Sequence, residues 1–99
     1  MNVMKPVPFT IEQLEALTRW SERRPWGLSV AIATDHAKMD EVAELWREDR
    51  RSPRYTLVRY SSGLIEVASI YTLPEWAYDL RAALALVEGL EKAAACVTE

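Results

Sequence analysis

The segment 55–71 constrains the fold more than any other part of the sequence, because it has the pattern of a β-hairpin. Two runs rich in β-branched and aromatic residues, YTLVRY and LIEVASIY, flank a Ser-Ser-Gly turn, which is typical of antiparallel strands. We expect Arg59 to face Glu66 and Val58 to face Val67, since this register pairs opposite charges and apolar side chains. A shift by one residue would place Glu66 opposite Val58.

Two further elements are predicted before the hairpin. Thr10 and Gln13 have the spacing of a capping box, in which each side chain bonds the other residue's backbone amide, and they begin a helix that extends to about Arg24. The alternating pattern of 28–33 predicts a strand with one buried face. Residues 1–8 contain two prolines and are expected to form a loose N-terminal arm.

The segment 35–49 supports two interpretations. Its apolar residues at helical spacing are Met39, Val42, Ala43 and Trp46. This spacing favours a helix. The alternative makes 41–47 a strand that pairs with 55–60 through the arginine-rich turn between them.

The C-terminal segment predicts a long helix. Thr72 and Glu75 form a second capping box, and Pro74 occupies the first turn, so the helix is expected to run from Leu73 to about Ala95. The face expected to pack on the sheet consists of Trp76, Leu80, Ala83, Leu84, Val87, Leu90 and Ala94.

The predicted fold is therefore α+β. A small antiparallel sheet, made of the hairpin 55–71 and the strand 28–33, packs against the N-terminal helix and the long C-terminal helix. With 99 residues, the chain 1–99 is expected to be a single domain.

The C-terminal helix carries a second apolar arc outside its sheet-facing side. The residues of this arc are Tyr78, Ala82, Ala85, Leu86, Gly89 and Ala93. A helix between one sheet and water should be polar over about half its circumference, so the arc predicts a partner or dimer interface. Two alternatives are that the N-terminal helix covers the arc, or that the alanines reflect helix propensity alone.

A second candidate binding surface combines a loop tryptophan with arginines, two residue types that are enriched at binding hot spots. Its residues are Arg23, Arg24, Trp26, Arg50, Arg51 and Arg54. The segment from Arg47 to Arg59 holds five arginines against Glu48 and Asp49, which suggests nucleic-acid binding as an alternative function. A solvated, salt-bridged loop and a tryptophan folded over the edge of the core explain the same residues.

Catalytic chemistry has little support. His36 is the single histidine, and Asp40 and Glu44 would share its face on a helix, but zinc sites need more nitrogen or sulfur ligands. The three glycines form no phosphate-binding loop, and no nucleophile motif occurs. We expect no catalytic residue, no metal ligand and no cofactor. A small enzyme or metal-dependent domain around His36 is kept as the second alternative.

The composition of the chain bears on its class of partner and on its cellular compartment. The net charge of −3 differs from the strongly basic balance of most nucleic-acid-binding domains. A single cysteine, Cys96, fits a reducing compartment, and neither a membrane span nor a signal peptide is expected. We expect a small cytoplasmic protein–protein interaction or regulatory module, an accessory or inhibitor protein that acts as a homodimer and binds a protein partner.

Overall fold

The computed structural model describes residues 5–23, 25–35, 40–47, 52–69 and 72–97. The elements, in chain order, are α1 (Ile11–Glu22), a single 3-10 turn (Pro25–Gly27), β1 (Leu28–Asp35), β2 (Asp40–Arg47), β3 (Tyr55–Arg59), β4 (Ile65–Ser69), β5 (Glu75–Ala77) and α2 (Leu80–Val97). In the described ranges, neither α1 nor α2 has both the length and the apolar character that a membrane crossing requires.

The five strands form one antiparallel sheet in the order β1-β2-β3-β4-β5. Helix α1 packs against β1, and α2 packs against β4 and β5. Buried side chains from both helices share one hydrophobic cluster with alternate residues of the strands, such as Leu45, Leu57 and Ile65. The predicted α+β fold is confirmed, with both helices on one face of the sheet. Within the described ranges no helix covers the other face, which we call the open face.

The N-terminus of α1 forms as predicted. The Thr10 hydroxyl accepts a hydrogen bond from the Gln13 amide at 3.1 Å, and the Gln13 side chain accepts one from the Thr10 amide at 2.9 Å. The segment before it is not a loose arm over residues 5–7. The amide of Val7 donates to the carbonyl of Arg59, and that of Ser61 donates to the carbonyl of Lys5, both at 2.8 Å. Residues 1–4 lie outside the described ranges.

The hairpin forms, but its predicted register is wrong by one residue. Arg59 pairs with Ile65 and Val58 pairs with Glu66. A three-residue turn sets this register: the amide of Tyr60 donates to the carbonyl of Leu64, at 2.9 Å.

The observed register is favoured because it places Tyr55, Leu57, Ile65 and Val67 on the same buried face. Burying an aliphatic side chain contributes about 1.5–3 kcal/mol. A cross-strand ion pair contributes about 0.2–1 kcal/mol, so burial outweighs the charge pairing on which the predicted register depended.

The helix predicted over 35–49 is also wrong. Residues Asp40–Arg47 form strand β2, which pairs with β3 through Ala43 opposite Leu57 and Leu45 opposite Tyr55. The alternative, a strand over 41–47, is confirmed. The feature that favours the strand is the alternation of buried residues: Ala43 and Leu45 are fully buried, and alternate residues of a strand share a face.

The C-terminal helix begins later than predicted. Glu75–Ala77 is strand β5, and α2 begins at Leu80. The Asp79 carboxylate caps α2 by accepting a hydrogen bond from the amide of Ala82 at 2.8 Å, so the capping box expected at Thr72 does not form.

Pairing of β5 with β4 explains this difference, and it moves Trp76 away from the core. Trp76 lies opposite Glu66 on the open face of the sheet, where its ring contacts that of Tyr60 with centroids 5.2 Å apart. The rest of the predicted sheet-facing side is confirmed at Leu80, Ala83, Leu84 and Val87, which are buried.

The hairpin turn provides a test of the observed register. Gly63 has a φ of 95°, and an added Cβ would meet nothing within 4 Å. Gly63→Ala should therefore lower the free energy of unfolding through backbone strain alone, by about 1–2 kcal/mol. Gly63→Asn should cost less, because asparagine tolerates positive φ better. Urea denaturation measures both variants, and equal stability of Gly63→Ala and wild type would contradict this turn geometry.

Candidate functional site

The main candidate site is an apolar groove between β5 and α2, with a volume of about 580 Å³. We call it the β5–α2 groove. Five of the six residues predicted as a partner or dimer interface line it, namely Tyr78, Ala82, Ala85, Leu86 and Gly89. Ala93, the sixth, is exposed further along α2. The structure therefore brings the predicted arc together with strand β5, which the sequence placed within the helix.

One side of the groove is exposed to solvent, and the residues on its other side pack against the hydrophobic core. Tyr78 is 88% exposed, which is high for an aromatic side chain, whereas the ring of Trp76 contacts Tyr60 on the open face of the sheet. Ala82 and Leu86 are partly buried and pack against the hydrophobic cluster. Helix α1 packs on β1 and leaves Gly89 exposed, so in the described ranges the N-terminal helix does not cover the arc.

A polar cluster beneath α2 was missed by the sequence interpretation. The carboxylate of Glu91 is 1% exposed and accepts three hydrogen bonds. The donors are Arg54 Nε at 2.7 Å, Tyr55 Oη at 2.7 Å and Arg47 Nη2 at 3.0 Å. We call these four residues the Glu91 cluster. One sequence signal could have indicated that Glu91 is buried. It follows Val87 by four residues and therefore lies in the apolar stripe of the helix.

The electrostatics of the Glu91 cluster favour the charged form of the carboxylate. Burial alone would raise the pKa of Glu91, but hydrogen bonds from Tyr55 and Arg54, with the charges of Arg54 and Arg47, lower it overall. Burial and the bond to Glu91 raise the pKa of Tyr55 to about 12. Burial acts to lower the pKa of Arg54, but Glu91 outweighs this and raises it. A buried, fully bonded carboxylate of this kind is suited to fixing a helix and unsuited to abstracting protons.

The second predicted binding surface is only partly described. Arg54 is 8% exposed and bonded to Glu91, so little of its side chain is accessible to a partner. Arg23 and Trp26 are exposed, and Trp26 has a φ of 57°, unusual for a bulky residue. Arg24, Arg50 and Arg51 lie outside the described residues.

The three described arginines of the basic segment Arg47–Arg59, which was predicted as a nucleic-acid-binding segment, contact the protein itself. Arg47 and Arg54 bond Glu91, and Arg59 Nη1 donates to the carbonyl of Pro8 at 2.8 Å. These bonds reduce the number of guanidinium groups free to contact phosphates.

The metal alternative cannot be placed on the described part of the chain. His36 lies outside it, and no group of three or more potential metal ligands occurs within it.

The open face of the sheet is a further surface that the sequence interpretation did not identify. It carries Tyr60 together with Trp46 and Trp76, the two tryptophans that were predicted on helical core faces. Trp46 Nε1 donates to the Glu44 carboxylate at 3.3 Å, and Tyr60 Oη lies 3.5 Å from Glu66 Oε1. This face is thus aromatic with two carboxylates, and it lies on the opposite side of the sheet from the Glu91 cluster.

Replacing Glu91 tests the cluster. Glu91→Gln keeps the shape but removes the buried negative charge that Arg54 and Arg47 bond, so the free energy of unfolding should fall by about 3 kcal/mol or more. Urea denaturation measures this change. Glu15→Gln, at an exposed position of α1, is the control and should change stability by less than about 0.5 kcal/mol. Similar stability of the two variants would contradict the assigned role.

The pH dependence of stability provides a second test. Because the folded pKa of Tyr55 is about 12, above its ordinary value of 10.0, its contribution is complete below pH 10 and is lost as the pH rises toward 12. Because the folded pKa of Glu91 is below 4.5, its contribution is present above that pH and is lost under stronger acid. Tyr55→Phe should remove the alkaline loss attributable to this residue, whereas Tyr78→Phe should retain it. Identical alkaline profiles for wild type and Tyr55→Phe would refute the assignment.

Comparison with known proteins gives no family for this chain. No protein-family model, curated protein or solved structure matches it. The function is therefore inferred from the geometry of the described residues.

Proposed function

We propose that this chain is a protein–protein interaction module with a regulatory role, as an accessory or inhibitor protein, and that it docks a partner protein in the β5–α2 groove. The observation that carries this proposal is the exposed apolar surface of the groove, where Tyr78 is 88% accessible and Ala85 and Gly89 are also exposed. Contiguous exposed apolar surface of this kind commonly marks an interaction site.

The chemistry of the groove favours a protein over a small molecule. Its described lining includes one charged residue, Glu75, and is otherwise apolar apart from the tyrosine hydroxyl and the indole N–H. Small-molecule sites usually add several convergent polar groups that fix the orientation of the ligand. Protein interfaces have apolar, aromatic-rich centres with few charges, which is the character of this groove.

The alternatives have weaker support from the described residues. The buried Glu91 carboxylate is occupied by three hydrogen bonds from protein side chains, which does not favour an enzyme. Three arginines of the basic segment bond protein groups, which does not favour nucleic acid. A cytoplasmic location remains a prediction from the single cysteine, Cys96.

Photo-cross-linking in producing cells tests the proposal. Because Tyr78 is 88% exposed, p-benzoylphenylalanine at this position can extend its larger side chain into the groove without disturbing the core, and irradiation should cross-link the chain to a protein docked there. The same amino acid at Thr34, which is exposed in β1 at the opposite edge of the sheet, is the control. Denaturing electrophoresis should show a product that depends on position 78 and is at least about tenfold weaker from position 34. Absence of this difference would contradict a docking role for the groove.

A further inference from the structure

We infer that the occupant of the β5–α2 groove is a second copy of this chain, with the two α2 helices packed antiparallel about a two-fold axis near residues 85 and 86. This inference rests on the proposed function, in that it names the protein that the groove binds. Most soluble oligomers are symmetric homo-oligomers, and a two-fold interface uses the same surface on both copies. The surface must therefore be complementary to itself.

Charge complementarity supports this arrangement. Arg81 and Glu88 are both exposed on the same flank of α2. In an antiparallel pair with this axis, Arg81 of one copy lies two residues from the level of Glu88 of the other, which is about 3 Å along the helix. The two-fold axis creates this opposite-charge pair twice. Within the described residues of one copy, neither side chain has an ion-pair partner.

The flank that carries these charges remains accessible within a single copy. Arg81 and Glu88 line an open cleft whose other wall is α1. Arg19, Glu22 and Arg23 lie on that wall, and none of them forms an ion pair with Arg81 or Glu88. The charged flank is therefore free to meet a helix from outside.

The apolar arc has the same symmetry. Ala82 and Gly89 are equidistant from the axis along α2, so each lies level with the other in the opposing copy. An added Cβ at Gly89 would meet nothing within 4 Å in a single copy, which leaves room for the methyl of the opposing Ala82.

Helix packing fits this edge of the molecule better than strand pairing. Strand β5 is three residues long and follows Pro74. Short edge strands and prolines are features that discourage edge-to-edge pairing. The longer α2, of 18 residues, therefore supplies the contact.

Charge reversal provides the test, with mass measured by light scattering. At about 100 μM, wild type should have twice the chain mass of 11.3 kDa. Arg81→Glu and Glu88→Arg each convert both attractive pairs into repulsive ones, so each variant should dimerise at least about tenfold more weakly. An equimolar mixture of the two variants should form heterodimers of near wild-type affinity, because both pairs are restored. The double variant should also recover. Glu15→Arg, on the exposed side of α1, is the control and should leave dimerisation unchanged.

A second variant tests the interface independently of charge pairing. Gly89→Arg introduces a better helix former at an exposed position, so the fold should not weaken, while its long side chain should block the opposing helix and give a monomer. Circular dichroism checks that each variant is folded.

The outcomes separate this inference from the proposed function. A monomeric wild type overturns the second copy as occupant, and a cross-link from position 78 to a different protein would then still support the docking role. A dimer that is blocked by Gly89→Arg but insensitive to both charge reversals overturns the antiparallel arrangement. A monomer without any cross-link overturns both proposals.

Discussion

A carboxylate remains charged inside a protein only where donors replace the water that it has lost, and Glu91 meets this condition through two arginines and a tyrosine. These partners come from β2, from the loop before β3 and from β3, so the interaction joins α2 to the middle of the sheet. It also sets the rotation of the helix. Ala82 is nine residues from Glu91 and therefore lies about 180° around the helix from it. Holding Glu91 inward holds the apolar arc outward, and the proposed docking surface depends on that rotation.

Short-range signals in the sequence predicted those parts of the fold that neighbouring residues determine. The capping box at Thr10 formed because its helix follows directly and no strand competes for the segment. The same pattern at Thr72 failed because β4 offered an edge to Glu75–Ala77, and pairing there outweighed a helix start that Asp79 could provide a few residues later. Local pattern could not reveal this competition, since it depends on which edge of the sheet is open.

The same reasoning explains the errors in register and in β2. Residues 40–47 satisfy a helical spacing and a strand alternation at once, and tertiary pairing with β3 decided between them. In the hairpin, burial of Ile65 and Val67 beside Leu57 decided the register. For the candidate site, the apolar arc could be identified from helical spacing alone, and five of its six residues line the groove. The Glu91 cluster could not be identified in this way, because the partners of Glu91 are far from it in sequence.

The sequence separation between Glu91 and its hydrogen-bond partners bears on the order in which the structure forms. Each strand of the sheet pairs with the next one in sequence, so the sheet assembles through short loops that close quickly. The hydrogen bonds of Glu91 join residues 36, 37 and 44 positions apart, and they require β2 and β3 to be in place. We therefore expect the rotation of α2 to be fixed late in folding, so that either apolar side of the helix can be exposed before then.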